Sequence, residues 1–146
     1  MPNNVSIRDA NATDSEALIL LLNELENNQA DPSIINQILA SYFADPLTLL
    51  RVLVSSADGI IGFVSCKGQY LLHHQGLVCE IQELIVTSSQ QGKSYGRLLI
   101  EDIKLQVLAW GAVSLEVTSN KRRKEAHAFY EAVGFRNSHE KFTIYF

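Results

Sequence analysis

Residues 90–96 read QQGKSYG: two glutamines, then a lysine, a serine and a tyrosine bracketed by Gly92 and Gly96. The stretch follows a β-branched run, ELIVTSS (83–89), and precedes a long amphipathic segment. There Leu98, Leu99, Ile103, Val107 and Trp110 recur with helical spacing, and Gly111 supplies a stop. A strand therefore hands over to a helix at the point of greatest backbone freedom. The first turn of a helix offers amide N–H groups without internal partners, and its dipole makes that end weakly positive. Bare glycine backbone lets a phosphate approach those donors, so the stretch reads as a pyrophosphate cradle. It lacks the Lys-Ser/Thr ending of a triphosphate-hydrolysing loop. It also lacks the G-x-G-x-x-G of a dinucleotide site, and its strand follows a hairpin instead of opening a βαβ unit.

The rest of the chain sets that handover in a mixed α/β order. VSIRDA (5–10) alternates as a half-buried strand does, and Thr13 with Glu16 reads as a capping box opening a helix that carries Leu18, Leu21, Leu22 and Leu25. Asp31-Pro32 opens a second helix with Ile34, Ile35, Ile38, Leu39, Tyr42 and Phe43 as its buried side, stopped by Asp45-Pro46. TLLRVLVS (48–55) and IIGFVSCKGQYLL (60–72) read as strands joined at Asp58-Gly59. A turn at residues 73–76 leads to the long strand LVCEIQELIVT (77–87). After the glycine stretch come a strand at VSLEVT (113–118), a helix carrying Ala126, Phe129, Tyr130 and Val133, and an alternating tail, KFTIYF (141–146). No repeat or linker interrupts the order, and residues 1–146 are expected to form one domain.

Composition limits the classes of function. With 47% hydrophobic and 19% charged residues the chain is globular, and its net charge of −4 favours neither nucleic acid nor an anionic membrane as partner. Two cysteines are too few for a disulfide framework and fit a reducing, cytoplasmic setting. The N-terminus lacks the basic and apolar regions of a leader, and no apolar run approaches a membrane span. Neither Cys66 nor Cys79 sits in a nucleophile motif. The four histidines show no H-x₃-H spacing, so no metal is expected.

Several stretches resemble the GCN5-related N-acetyltransferase (GNAT) superfamily. Its acetyl-CoA signature is Q/R-x-x-G-x-G/A; here Gln91 takes the first position, Gly96 the last, and Ser94 replaces the middle glycine. EIQELIV (80–86) looks like the superfamily's fourth strand, and AHAFYEAVGF (126–135) is similar to its A-x-x-F/L-Y-x-x-x-G-F signature. LLHH, EIQELIV, KRRKEAHAFY and GFRNSHEKFT look like stretches of bacterial aminoalkylphosphonate N-acetyltransferases, while the ending is also similar to glucosamine-6-phosphate N-acetyltransferases. The resemblance implies a GNAT fold: a mixed, mostly antiparallel twisted sheet of six to seven strands with about four helices, splayed at strands 4 and 5.

Acetyl transfer to an amine needs a base, a polarised thioester carbonyl and a proton for the leaving thiolate. Glu80 is the first candidate base and Glu83 the second; the bland alternative is a pair of strand glutamates that keep an edge soluble. Strict alternation puts Glu80 beside Gln82 and Glu83 with Ile81 and Ile85. The resemblance implies a bulge in this strand, near which that parity fails. Tyr130 matches the tyrosine that many members aim at the coenzyme sulfur, against the alternative of a core residue. By resemblance, backbone at Leu84, Ile85 and Val86 meets the thioester and pantetheine. Gln91, Gly92, Lys93, Ser94, Tyr95 and Gly96, with Arg97 nearby, would hold the pyrophosphate. Many members carry asparagine seven residues before the tyrosine; that position is Arg123 here, with Asn120 close enough to substitute. The basic run 121–124 reads either as a solvated loop or as a contact for phosphates. Arg51, His74, Ser138, His139 and Lys141 are candidates for holding an anionic acceptor.

The expected activity is transfer of an acetyl group from acetyl-CoA to the primary amine of a small molecule, such as an aminoalkylphosphonate, by direct attack in a ternary complex. Acetylation of a protein or peptide, and a non-catalytic acyl-CoA-binding module, are the alternatives. The alternating tail has the pattern to pair with another chain, which would give a homodimer.

Overall fold

The computed structural model describes residues 4–26 and 29–146; Met1–Asn3, where the segment read above for a leader begins, lie outside them. Five strands form one sheet in the order β1-β2-β3-β4-β5. These are β1 (Val5–Asp9), β2 (Thr48–Ser55), β3 (Gly59–Leu71), β4 (Gly76–Val86) and β5 (Ser114–Val117). Pairing is antiparallel from β1 through β4 and parallel between β4 and β5. Four helices complete the fold: α1 (Ser15–Glu26), α2 (Pro32–Ala44), α3 (Tyr95–Ala109) and α4 (Lys124–Ala132).

Each face of the sheet has its own core. On one, Leu99, Ile100, Ile103 and Val107 of α3 pack with Leu53, Val64, Leu77, Cys79, Ile81 and Val133. On the other, Leu18 and Leu21 of α1 and Leu39 of α2 cover Leu50, Val52, Phe63 and Ile85. Each fully buried aliphatic side chain stabilises the fold by about 1.5–3 kcal/mol, so these two clusters fix how both helix layers seat. Arg51 crosses to the α3 layer, where Nε and Nη2 donate to the Asp102 carboxylate at 2.8 and 3.0 Å. None of the helices among the described residues is long and apolar enough to cross a membrane.

The elements follow from local chemistry with some departures. Asp31 caps α2 by accepting from the Ser33 N–H at 2.9 Å, with Pro32 in the first turn, as its sequence requires. The first cap differs. Asn11 and Asp14 form the reciprocal box in place of Thr13 and Glu16, around a short 3-10 turn, Ala12–Asp14. Arg8 selects this register by donating to both Asp14 oxygens at 2.8 and 3.0 Å. On α2 only Ile35, Leu39 and Tyr42 turn inward, whereas Ile34, Ile38 and Phe43 stay exposed.

The strand count is corrected: five are found among the described residues, not six to seven. The segment KFTIYF, read as a strand, runs without backbone partners among the described residues. Alternation alone makes no strand when no edge lies alongside it.

Candidate active site

The site begins with an irregularity in β4. Opposite β3, Lys67 pairs with Glu80, Cys66 with Ile81 and Ser65 with Glu83, so Gln82 is an extra residue. An inserted residue reverses the alternation beyond it. Directly paired residues share a face, and Ser65 and Lys67 are two apart on β3; Glu80 and Glu83 therefore stand on the same face, that of α1 and α2. Strict parity had placed them on opposite faces, and the bulge at Gln82 overturns it.

Glu83 is held on three sides. Its carboxylate accepts from the Tyr42 hydroxyl at 3.1 Å and from the Ser65 hydroxyl, while its own N–H donates to Ser65 Oγ at 3.0 Å. Burial, helped by the neighbouring Glu83 charge, pushes the Tyr42 phenol up to about 12. Tyr42 is thus a permanent donor at neutral pH. Glu80 is less constrained: Thr118 Oγ1 donates to it at 2.8 Å. Between helix and sheet, the Lys67 ammonium lies 4.3 Å from the centre of the Tyr42 ring and donates to Thr48 Oγ1 at 3.0 Å. Asp45 is 3.9 Å from that ammonium and accepts from Thr48 at 2.7 Å. Three carboxylates, Glu80, Glu83 and Asp45, and the Lys67 cation thus share one polar floor.

Beside this floor the sheet opens. The β4–β5 ladder ends at Ile81 and Val117, leaving residues 82–86 unpaired on that side. Since the Glu83 N–H points toward β3, alternation turns the Leu84 and Val86 N–H groups, and not that of Ile85, toward the opening. Gln91 is anchored here: its Nε2 donates to Val86 O at 3.0 Å, tying the glycine loop to the strand end.

The loop then delivers α3. Gly92 has φ +81, and Ser94 takes φ 65 and ψ 19, the left-handed region that glycine enters without penalty. The glycine missing from the signature is thus missed in chemistry only, since Ser94 adopts its backbone shape. Ser94 makes no side-chain cap. The N–H groups of Tyr95, Gly96 and Arg97 have no protein acceptor among the described residues, and the intrahelical series begins with Leu98 N–H to Ser94 O at 3.1 Å. Gly96 has a separate reason: a Cβ there would lie 3.3 Å from Phe129 Cζ of α4. Lys93 is turned back, donating to Gln90 Oε1 at 2.9 Å.

On the α3 face, Tyr130 packs against the core with its ring centre 5.4 Å from that of Phe129 and 5.9 Å from that of Phe135. Burial raises its pKa, opposed by nearby Arg123, so the phenol keeps its proton at neutral pH. Its hydroxyl has no partner among the described residues. Asn120 is occupied as a loop brace, its side chain accepting from the Arg122 N–H at 2.9 Å and its carbonyl from the Arg123 N–H at 3.0 Å. Residues 122–126 line a recess of about 390 Å³ at the start of α4.

The other candidates lie elsewhere. Arg51 faces α3 and is committed to Asp102 and Asp9. His74 is at the exposed β3–β4 turn, before Gly76, the start of β4, which itself lies about 20 Å along the strand from Glu83. Ser138, His139 and Lys141 are on the exposed tail. Both cysteines are buried, and burial pushes the Cys66 thiol up to about 12. The sequence reading missed Tyr42, Ser65, Lys67 and Thr118. One signal was present: Ser65 and Lys67 interrupt the apolar run of β3 at a spacing of two.

Four helices about a sheet that parts between β4 and β5, with a glycine loop opening α3, define a GNAT-like architecture. A family model of the acetyltransferase (GNAT) domain matches residues 49–137. Over 137 residues the chain is 30% identical to the aminoalkylphosphonate N-acetyltransferase of Salmonella typhimurium strain LT2, covering 94% of this chain and 88% of that protein. Among solved structures, one described as a transcriptional regulator from Bacillus halodurans C-125 aligns with a TM-score of 0.89 at 23% identity, over 97% of this chain and 99% of that one. Glucosamine-6-phosphate N-acetyltransferase from Arabidopsis thaliana aligns with a TM-score of 0.83 at 18% identity, over 99% of both chains. The chain belongs to the GNAT acetyltransferase family, and it is an N-acetyltransferase.

Proposed function

We propose that the protein transfers the acetyl group of acetyl-CoA to the primary amine of a small acceptor that also carries an anionic group, of the aminoalkylphosphonate kind. The observation that carries this reading is the shared floor of Glu80, Glu83 and Lys67 beside the open edge of β4. Carboxylates suit an ammonium, and a cation on the same floor suits an anion a few bonds away. The name of the Salmonella relative agrees with that combination.

The donor fits the other side of the opening. Free N–H groups at Tyr95, Gly96 and Arg97, reached past Gly92 and Ser94, would bind the pyrophosphate. The Leu84 and Val86 N–H groups would pair with the pantetheine as an added strand does and polarise the thioester carbonyl. Arg97 and Arg123 would supply positive charge for the remaining phosphates.

Glu83, held in place by two hydroxyl donors, orients the amine through its remaining acceptor positions. Glu80, with one hydroxyl and more freedom, accepts the proton directly or through a water. The neutral amine nitrogen attacks the carbonyl carbon, the C–S bond breaks, and Tyr130 protonates the departing thiolate. The test is coenzyme A release with aminomethyl- and aminoethylphosphonate, amino sugars, polyamines and peptides as acceptors. Turnover highest with the phosphonates supports the reading; equal turnover with acceptors lacking an anion removes Lys67 from it.

A further inference from the structure

The glycine loop is fastened to the rest of the molecule from three sides. Gln91 ties it to β4 through Val86 O, and Gln90 Nε2 donates at 3.2 Å to Asp58 on the β2–β3 turn. The third fastening comes from a helix. Glu24, near the end of α1, accepts from the Thr87 hydroxyl at 2.9 Å with one carboxylate oxygen and from the Ser88 N–H at 3.0 Å with the other. Among the described residues these are the only hydrogen bonds that join α1 or α2 to residues 87–97.

Local chemistry explains why the loop takes a partner from so far away. Thr87 and Ser88 begin the short 3-10 turn Ser88–Gln90 that leads into the loop, and Thr87, in the capping position, bonds none of the turn's N–H groups with its own side chain. Its backbone N–H is given to Ile61 O of β3 at 2.8 Å. Without Glu24 the Ser88 N–H would turn to water. A carboxylate that uses both oxygens fixes direction as well as distance. Its charge does not suit a phosphate contact, since the pyrophosphate expected at this loop is itself anionic. Glu24 therefore acts on where the loop sits.

The helix that supplies this carboxylate belongs to the other half of the site. Leu18 and Leu21 of α1 cluster with Ile85, two residues beyond Glu83 on the same face of β4. Resting on the function proposed above, we infer that Glu24 is a positioning residue joining the two substrate sites. It holds the coenzyme loop to the helix layer over the acceptor floor, so that seating of the coenzyme steadies the end of α1. The two fastenings to the sheet and its turn carry no such message, because neither Val86 nor Asp58 is on a helix. Linkage makes the effect reciprocal: whatever the coenzyme does for the acceptor through Glu24, the acceptor does for the coenzyme by the same factor.

Calorimetry with coenzyme A and hydrogen exchange test this together. Glu24→Ala is expected to weaken coenzyme A binding by about 3–10-fold, the worth of one ordinary hydrogen bond. Glu24→Gln, neutral but still able to bond both the Ser88 N–H and the Thr87 hydroxyl, should restore most of that loss. Equal behaviour of the two variants, or tighter binding by both, would assign the effect to charge and overturn the clamp. Thr87→Val should add nothing to the loss in Glu24→Ala, as for two ends of one link; additive losses count against it. Hydrogen exchange on the unaltered protein needs no variant. Coenzyme A should slow the amides of residues 22–25 as well as those of the loop, and in Glu24→Ala those of the loop alone. Coenzyme A bound with residues 22–25 unresponsive overturns the clamp by itself, whereas no binding to the wild type overturns the reading of the loop and the clamp with it. Neither readout requires a known acceptor.

Discussion

Glu80 and Glu83 stand on one face of β4, three positions apart, because Gln82 between them is a bulge without a counterpart on β3. Their hydrogen bonds differ. Glu83 receives two hydroxyls and Glu80 one, the difference on which the proposed division between orienting an amine and receiving its proton rests.

Replacing the two carboxylates should give different kinetics. Glu80→Gln is expected to lower kcat by about 10²-fold or more with KM for the amine little changed, the size of a lost general base. Glu83→Gln is expected to raise KM for the amine first. Steady-state measurements with an aminoalkylphosphonate decide it; the opposite split would exchange their roles.

Removing the phenol of Tyr130 should slow departure of the thiolate. Tyr130→Phe keeps the packing against Phe129 and Phe135 and is expected to reduce kcat by about 10²-fold, with binding of acetyl-CoA preserved in calorimetry. An unchanged kcat would take the tyrosine out of the chemistry.

On the proposed reading, Lys67 should make the charge of the acceptor matter. In Lys67→Met, KM for an aminoalkylphosphonate should rise by about 10–100-fold, the value of a hydrogen bond to a charged group. KM for an amine without an anion should scarcely move. Parallel losses for both acceptors would mean that Lys67 only braces Tyr42 and Asp45.

Alkaline stability should depend on Tyr42. Its folded pKa is raised to about 12, above the ordinary phenol value of about 10. The folded state therefore favours the neutral phenol. That contribution is whole below pH about 10 and is lost as pH rises through about 12. Between pH 9 and 11.5 the wild type should lose more melting temperature than Tyr42→Phe, whose side chain cannot ionise. Equal losses would contradict the assignment.

Ser94 holds a glycine conformation at φ 65. Ser94→Gly is expected to keep coenzyme affinity, because the loop retains its shape. Ser94→Val, β-branched in the left-handed region, should cost about 1–2 kcal/mol of stability and weaken coenzyme binding. Calorimetry and thermal melts read both.

Much of this molecule is legible where local chemistry decides. The strand–glycine–helix passage, the Asp31-Pro32 start of α2 and the Gly111 and Gly134 stops all depend on a few adjacent residues, and φ at both glycines is positive. What escaped depends on partners distant in sequence. A bulge carries no compositional mark, so alternation through Gln82 gave the wrong face until the register with Ser65 fixed it. The cap moved from Thr13 to Asn11 for a nearer reason: Arg8, six residues earlier on β1, claims Asp14, a pairing that capping patterns do not encode. Tyr42 reads as one more member of an apolar stripe and becomes a site residue only when α2 lies over Ser65 and Glu83. The tail shows its strand pattern plainly, but an edge to receive it is a property of the assembled sheet.

Gly96 sits where the first turn of α3 touches the Phe129 ring, next in sequence to Tyr130. On the proposed reading, the end of the coenzyme that bears phosphates and the end that bears sulfur would be gauged against each other through this van der Waals contact. A methyl group at this position would lengthen the gauge by a few tenths of an ångström, leave the proposed binding groups on both sides intact, and shift the phenol relative to the sulfur it is proposed to serve.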